Sequence, residues 1–130
     1  MKLLWGLLLT SLLFSQELNW HKHDYKGAVK DAKITQKPLM IMFSQWGCRA
    51  CIWMKESVIA RDDIQDYLAK HYILAMIDIK EDTIPEGFKV EGIPMFYFQD
   101  AKGNSLHKRI IGGKKPDYFL KLLKRVNKKK

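Results

Sequence analysis

The only two cysteines of this 130-residue chain, Cys48 and Cys51, stand three positions apart shortly after an unbroken apolar run at residues 39–43. A disulfide restrains the unfolded chain more as the loop it closes grows, so a bridge across two intervening residues staples almost nothing. The pair therefore points to chemistry rather than reinforcement. The apolar run shows no alternation and reads as a strand covered on both faces, hence one lying inside a sheet. After the turn at residues 44–47, residues 50–59 read as a helix with Cys51, Met54 and Val58 on one stripe. The two thiols thus fall at a strand-to-helix junction.

The surrounding pattern supplies the other layers. A short extended piece at 18–21 precedes a helix at 24–34, with Asp24 as its N-cap and Ala28, Val29 and Ala32 on its apolar face. A further helix through Lys70 is capped by Asp62 or Asp63, and residues 72–79 form a second buried strand. Residues 83–92 are a polar connection. Two short strands, 95–98 and 106–111, flank a Gly-containing turn and pair as a hairpin. Gly112 and Gly113 break the sheet, and Pro116 opens a last helix through Val126 with Phe119, Leu120, Leu122 and Leu123 on its apolar side. The predicted class is α/β: a mixed central sheet with helices on both faces. A chain of this length and 47% hydrophobic content suits one such domain, without metal or multiple disulfides.

The N-terminus carries one charge, Lys2, before a run from Leu3 to Phe14 interrupted by Gly6, Thr10 and Ser11. That order is expected of a secretory signal peptide, placed at residues 1–15, and the run is too short for a spanning helix. A cut after Ser15 leaves the bulky Leu13 two positions upstream, so the cleavage site stays open, as does a buried N-terminal helix. Residues 16–127 are then the folded domain and 128–130 a basic tail. The formal charge of +9 resides mainly beyond residue 101, where Lys and Arg face the single acid Asp117. This is read either as the solvated face of the last helix or as a surface for an acidic partner or anionic membrane. Export and the lack of aromatics interleaved with the basic residues argue against nucleic acid.

Thiol exchange requires a nucleophile that is thiolate near neutral pH, a second thiol to resolve the mixed disulfide, and access at the first sulfur only. In Trp46-Gly47-Cys48-Arg49-Ala50-Cys51, Cys48 meets free helix-end amide donors, and Arg49 beside it is expected to favour the thiolate. Cys51, one turn in, is expected to be buried. Trp46 suits a partner-facing platform. Met54 reads as core, and Met95 as either strand packing or a substrate contact. A zinc site is the competing use of the cysteines, but His21, His23, His71 and His107 are scattered without ligand spacing except at His21-x-His23.

With Val90-x-Gly92-Ile93-Pro94 some forty residues after the cysteines, the chain resembles the thioredoxin superfamily over about residues 18–126. The resemblance implies the thioredoxin fold, a cis Pro94 packed beside the cysteines, and Ile93 presenting backbone groups to a bound peptide. Gly112 falls where such proteins turn into their final helix. Within the superfamily the chain is similar to exported thioredoxin-like proteins, including the C-terminal domain of DsbD and SoxW-type thioredoxins. It departs from thioredoxin itself at Gly47, at the Arg49-Ala50 dipeptide, and in having no acid among Met40, Ile41, Met42 and Phe43. Proton removal from Cys51 then falls to water or another group such as Glu56 or Lys80.

The function this implies is a periplasmic thiol–disulfide oxidoreductase, favoured as a reductase, with no cofactor beyond a redox-active Cys48–Cys51 disulfide. Its expected partners are protein thiols and disulfides and a membrane or periplasmic electron donor, met by a monomer. A disulfide-donating oxidase and a non-catalytic peptide- or metal-binding module are the alternatives.

Overall fold

The computed structural model describes residues 17–130, so the expected signal peptide at residues 1–15 lies outside the described residues. Strand β1 (Trp20–Lys22) is followed by α1 (Tyr25–Thr35), β2 (Leu39–Ser44) and α2 (Arg49–Trp53), which runs on as a π-helical segment (Met54–Ile59). Then come α3 (Asp62–His71), β3 (Ile73–Asp78), β4 (Met95–Gln99), β5 (Ser105–Ile111) and α4 (Pro116–Asn127). The sheet order is β1-β3-β2-β4-β5, with β1, β3 and β2 parallel and β4 and β5 antiparallel to their neighbours.

Every residue of β2 is buried, because its alternate side chains enter two different cores. Met40 and Met42 join Leu74, Phe96 and Phe98 beneath α2, α3 and α4, together with Cys51, Met54, Leu68, Phe119 and Leu123. Leu39, Ile41 and Phe43 pack on the other face with Ala28 and Ala32 of α1, Ala75 and Ile77. Alanine at the two buried positions of α1 lets that helix lie close to the sheet. The expected mixed sheet with helices on both faces is the observed architecture. The basic residues Lys121, Lys124 and Arg125 lie on the exposed side of α4, opposite buried Phe119, Leu122, Leu123 and Val126.

Three local expectations are corrected. The extended piece is Trp20–Lys22 rather than residues 18–21. Asp24 caps α1 as expected, accepting the Gly27 amide at 2.9 Å. Residue 61, however, occupies the N-cap position of α3: Asp63 is drawn into a hydrogen bond with the Arg61 guanidinium and with the neighbouring Ile64 amide. The helix expected at 50–59 changes pitch midway, and the Ala60 amide reaches back five residues to the Lys55 carbonyl. The wider turn brings the adjacent Val58 and Ile59 together onto the face that already buries Met54.

Tyr72 ties the first core to α4, its hydroxyl donating to the Leu123 carbonyl oxygen at 2.5 Å. Burial drives the Tyr72 phenol far above its ordinary value, because phenolate cannot be solvated there. A group raised in the folded state contributes its stability in full below its unfolded pKa, and that stability is lost as pH rises above it. Tyr72→Phe is expected to cost about 1 kcal/mol at neutral pH. Urea unfolding of both proteins at pH 8 and pH 11 should also show the wild type losing more stability than the variant on the alkaline side. Equal losses would mean that Tyr72 ionises freely in the folded protein.

Candidate active site

Cys48 occupies the N-cap position of α2, with extended backbone (φ −71°, ψ 110°). Its Sγ accepts the Cys51 amide at 3.2 Å, and its carbonyl accepts the Ile52 amide at 3.0 Å. A short polar turn delivers it there: the Cys48 amide donates to the Gln45 carbonyl at 3.1 Å, and Gly47 takes φ +81°. A side chain at position 47 would be strained at that φ, which accounts for glycine directly before the cysteine. Cys48 and Cys51 are disulfide-bonded, with Cα atoms 5.2 Å apart. Cys48 remains half-buried at the surface, whereas Cys51 is 1% exposed and packed into the core below α2.

A neighbouring loop holds the turn. At the end of β3, the Asp78 carboxylate accepts the Trp46 amide at 3.1 Å and the Lys80 and Glu81 amides at 2.8 and 3.0 Å. These backbone donors, Glu81 first and then Lys80, hold the Asp78 carboxyl below the usual carboxylate range. Asp82 in turn accepts the Asp78 amide at 2.8 Å, and His23 lies 2.7 Å from the same Asp82 oxygen. Sequence reading missed Asp78. Its position at the end of an apolar run was visible, but its partner lies 32 residues back across β2.

Pro94 sits one strand over at the same end of the sheet, since Met95 pairs with Phe43 of β2. The Ile93–Pro94 peptide bond is cis, Pro94 is buried and Ile93 packs half-buried against the first core. The Pro94 carbonyl accepts the Gly112 amide at 2.7 Å, and Gly112 has φ +85°. Upstream, the loop is secured by the Tyr97 hydroxyl donating to the Lys89 carbonyl at 2.5 Å and by the ion pair of Arg109 with Glu91. Met95 is fully buried, which makes it strand packing rather than a substrate contact.

Around Cys48 the surface is apolar and open. Trp46 is 89% exposed, and Ile52, Trp53 and Ile111 are each more than two-fifths exposed. Arg49 is exposed at the first position of α2 and forms no ion pair among the described residues. Glu56 and Lys80 are likewise exposed, and neither hydrogen-bonds to Cys51. No group of three or more His, Cys, Asp or Glu side chains is arranged to hold a metal ion among the described residues. His21 pairs instead with Asp31, at 2.7 Å. The arrangement provides one sulfur open to attack, one sheltered behind it, and apolar surface on which a partner can lie.

Residues 25–127 match the model of the thioredoxin-like domain family. No curated protein matches the sequence. Among solved structures, a DsbH oxidoreductase is similar at 24% identity and TM-score 0.67, covering 87% of this chain and 86% of that one. The C-terminal domain of Neisseria meningitidis DsbD in its oxidised form is similar at 18% identity and TM-score 0.63, with 76% and 89% covered. The periplasmic thioredoxin SoxS of Paracoccus pantotrophus is similar at 20% identity and TM-score 0.56, with 72% and 98% covered.

Two outcomes follow from the site geometry. In the reduced protein under native conditions, iodoacetamide should label Cys48 with one equivalent before any label reaches Cys51, as read by peptide mass mapping; simultaneous labelling would contradict the burial of Cys51. Asp78→Asn should speed hydrogen exchange at the Trp46 amide while leaving the β2 amides protected. Unchanged exchange at Trp46 would show that another group holds the turn.

Proposed function

Because this chain belongs to the thioredoxin-like domain family and its paired cysteines make it a thiol–disulfide oxidoreductase, we propose that it serves as an exported reductase of protein disulfides. The observation that carries this reading is the unequal placement of the two sulfurs, Cys48 at the rim on a helix N-cap and Cys51 in the core directly behind it. The Cys48 thiolate attacks a partner disulfide, forming a mixed disulfide and releasing one partner thiolate. Cys51 then attacks Cys48 Sγ, releasing the second and closing the Cys48–Cys51 disulfide. Two electrons pass from the dithiol to the partner. Trp46, Ile93 and the Pro94 loop frame the partner segment, and Arg49 adds positive charge beside the reactive sulfur.

A site becomes more oxidising as its reduced form is stabilised, and the Arg49 charge beside Cys48 acts in that sense. The reducing direction is supported instead by Ile93 directly before Pro94, in which the chain resembles reducing members of the superfamily. Export, to a periplasm in a bacterial cell, is supported by the charge-then-apolar order of residues 1–15. A membrane or periplasmic dithiol protein then returns the site to its reduced form, and the protein works as a monomer.

Insulin reduction by wild type should be lost in Cys48→Ser, and Cys51→Ser should accumulate a partner-linked mixed disulfide visible on a non-reducing gel. Equal activity in wild type and Cys48→Ser would overturn the enzymatic reading. Redox titration against glutathione should give a midpoint nearer to about −270 mV than to about −120 mV, the values of a reducing and an oxidising relative of this chemistry. The opposite result would reverse the direction.

A further inference from the structure

The end of β2 leads to the Cys48 turn, and its start marks the opposite pole of the sheet, where Leu39 pairs with Ile73 of β3 and Gln99 of β4. Six strand residues at about 3.3 Å each set the two poles roughly 20 Å apart. The α4 helix runs from one to the other. It begins near the helix that follows Cys48, where the Lys114 amide donates to the Met54 thioether at 3.2 Å. It ends beside the last turn of α3, where the Asn127 side chain donates to the Tyr67 hydroxyl at 3.1 Å.

Cations collect at this far pole. Burial first, and then the charges of Lys70, Lys130 and Lys37, hold the His71 imidazole below its ordinary pKa, which places those three ammonium groups around one ring. Lys124 lies over the Tyr67 ring at 5.9 Å, and Lys128 and Lys129 are exposed beyond it. None of these six lysines has a carboxylate within ion-pair distance among the described residues. Nearby acids are fewer. Asp31 pairs with His21 at 2.7 Å, and Asp100 accepts the Lys102 and Asn104 amides at 2.9 Å. Glu17 and Asp66 stay exposed at the margin. With Lys33 and Lys102, which line a cavity beside Leu39, lysines at this pole outnumber those four acids two to one. Asp117, the one acid of α4, is at the other end of that helix and pairs with Arg61.

The make-up of the cluster selects its partner. Protein interfaces are enriched in arginine and aromatic anchors and depleted in lysine, and single-stranded nucleic acid is held on aromatic platforms. Here the cations are lysines, and the exposed aromatic side chains, Trp46, Trp53 and Tyr118, lie at the Cys48 end or in the first turn of α4. A bilayer with anionic headgroups asks only for positive charge near its plane, and each lysine adds to the attraction without a fixed partner. We propose that the pole opposite Cys48, formed by Lys37 and the ends of α3 and α4, docks on an anionic lipid surface. Cys48 then faces away from the lipid, and Trp46, Ile93 and the Pro94 loop stay open to a protein partner. This placement goes beyond the exchange reading and stands or falls without it.

Vesicle binding without any disulfide substrate tests it. The full chain is sedimented with vesicles of phosphatidylcholine alone or with one-third phosphatidylglycerol. The apolar run at residues 3–14 is present in every measurement, so the ratio of the two affinities carries the charge contribution. Wild type should bind the anionic vesicles about a hundredfold more tightly, as three lysines close to the surface provide. Raising salt from about 50 to about 300 mM should abolish most of that preference. Replacing Lys70, Lys128 and Lys130 together by Gln should lower the ratio about tenfold or more. Replacing Lys22, Lys26 and Lys80 by Gln removes as many exposed charges from the Cys48 pole, beyond the screening length, and should leave the ratio near that of wild type. Equal binding to both vesicles, a ratio that survives the first triple substitution, or an equal fall in the second would overturn the proposal. Capture by polyglutamate with no preference between the vesicles would assign the cluster to an acidic protein instead and overturn it as well. In reduced, vesicle-bound protein a water-soluble maleimide should label Cys48 at the rate seen in free protein; marked slowing would refute the outward orientation.

Discussion

The complete burial of β2 governs the rest of the molecule. A strand that is apolar on both faces can be stable only when a helical layer covers each face, so the placement of α1 on one side and α2, α3 and α4 on the other follows from the side chains of Leu39–Ser44. Its neighbours β3 and β4 complete the cover edgewise. Where the apolar character stops, at Ser44, the chain must leave the core, and the turn to Cys48 begins there. Cys48 is thus presented just beyond a strand buried at every residue, while Cys51, one helical turn further on, is carried back into the interior.

Two loops from adjacent strands then meet that turn. From β3, Asp78 gathers three amides, including that of Trp46, and in doing so satisfies donors that the turn itself leaves open. Before β4, Pro94 receives the Gly112 amide and joins the loop to the end of β5. Reactive turn, β3 loop and proline loop are each fixed by hydrogen bonds to backbone atoms. Side-chain substitutions on the exposed rim, as at Arg49 or Trp46, therefore leave the frame in place.

Much of this was legible in the sequence because it rests on local patterns. The uninterrupted apolar run announced a central strand, the three-residue spacing of the cysteines announced chemistry, and Asp24 three residues before Gly27 announced a cap that is present. Other features depend on residues far apart in the chain and leave no local trace. Asp78 holds Trp46 across 32 positions. The π-helical turn after Trp53 answers to the packing of Val58 and Ile59 against the sheet, a tertiary demand that periodicity alone assigns to an ordinary helix. Likewise Asp62 and Asp63 look like caps in sequence, but Arg61 competes for the Asp63 carboxylate.

The hydrogen bond from Gly112 to the Pro94 carbonyl has a consequence for partner exchange. It binds the proline loop to the β4–β5 hairpin, so the surface at this end of the sheet is held in place in the free protein. Little ordering entropy is then lost on association, and affinity can come from a small contact area. For a thiol–disulfide oxidoreductase, a surface that needs no reordering leaves the covalent sulfur link itself as the step that can set how long a partner stays.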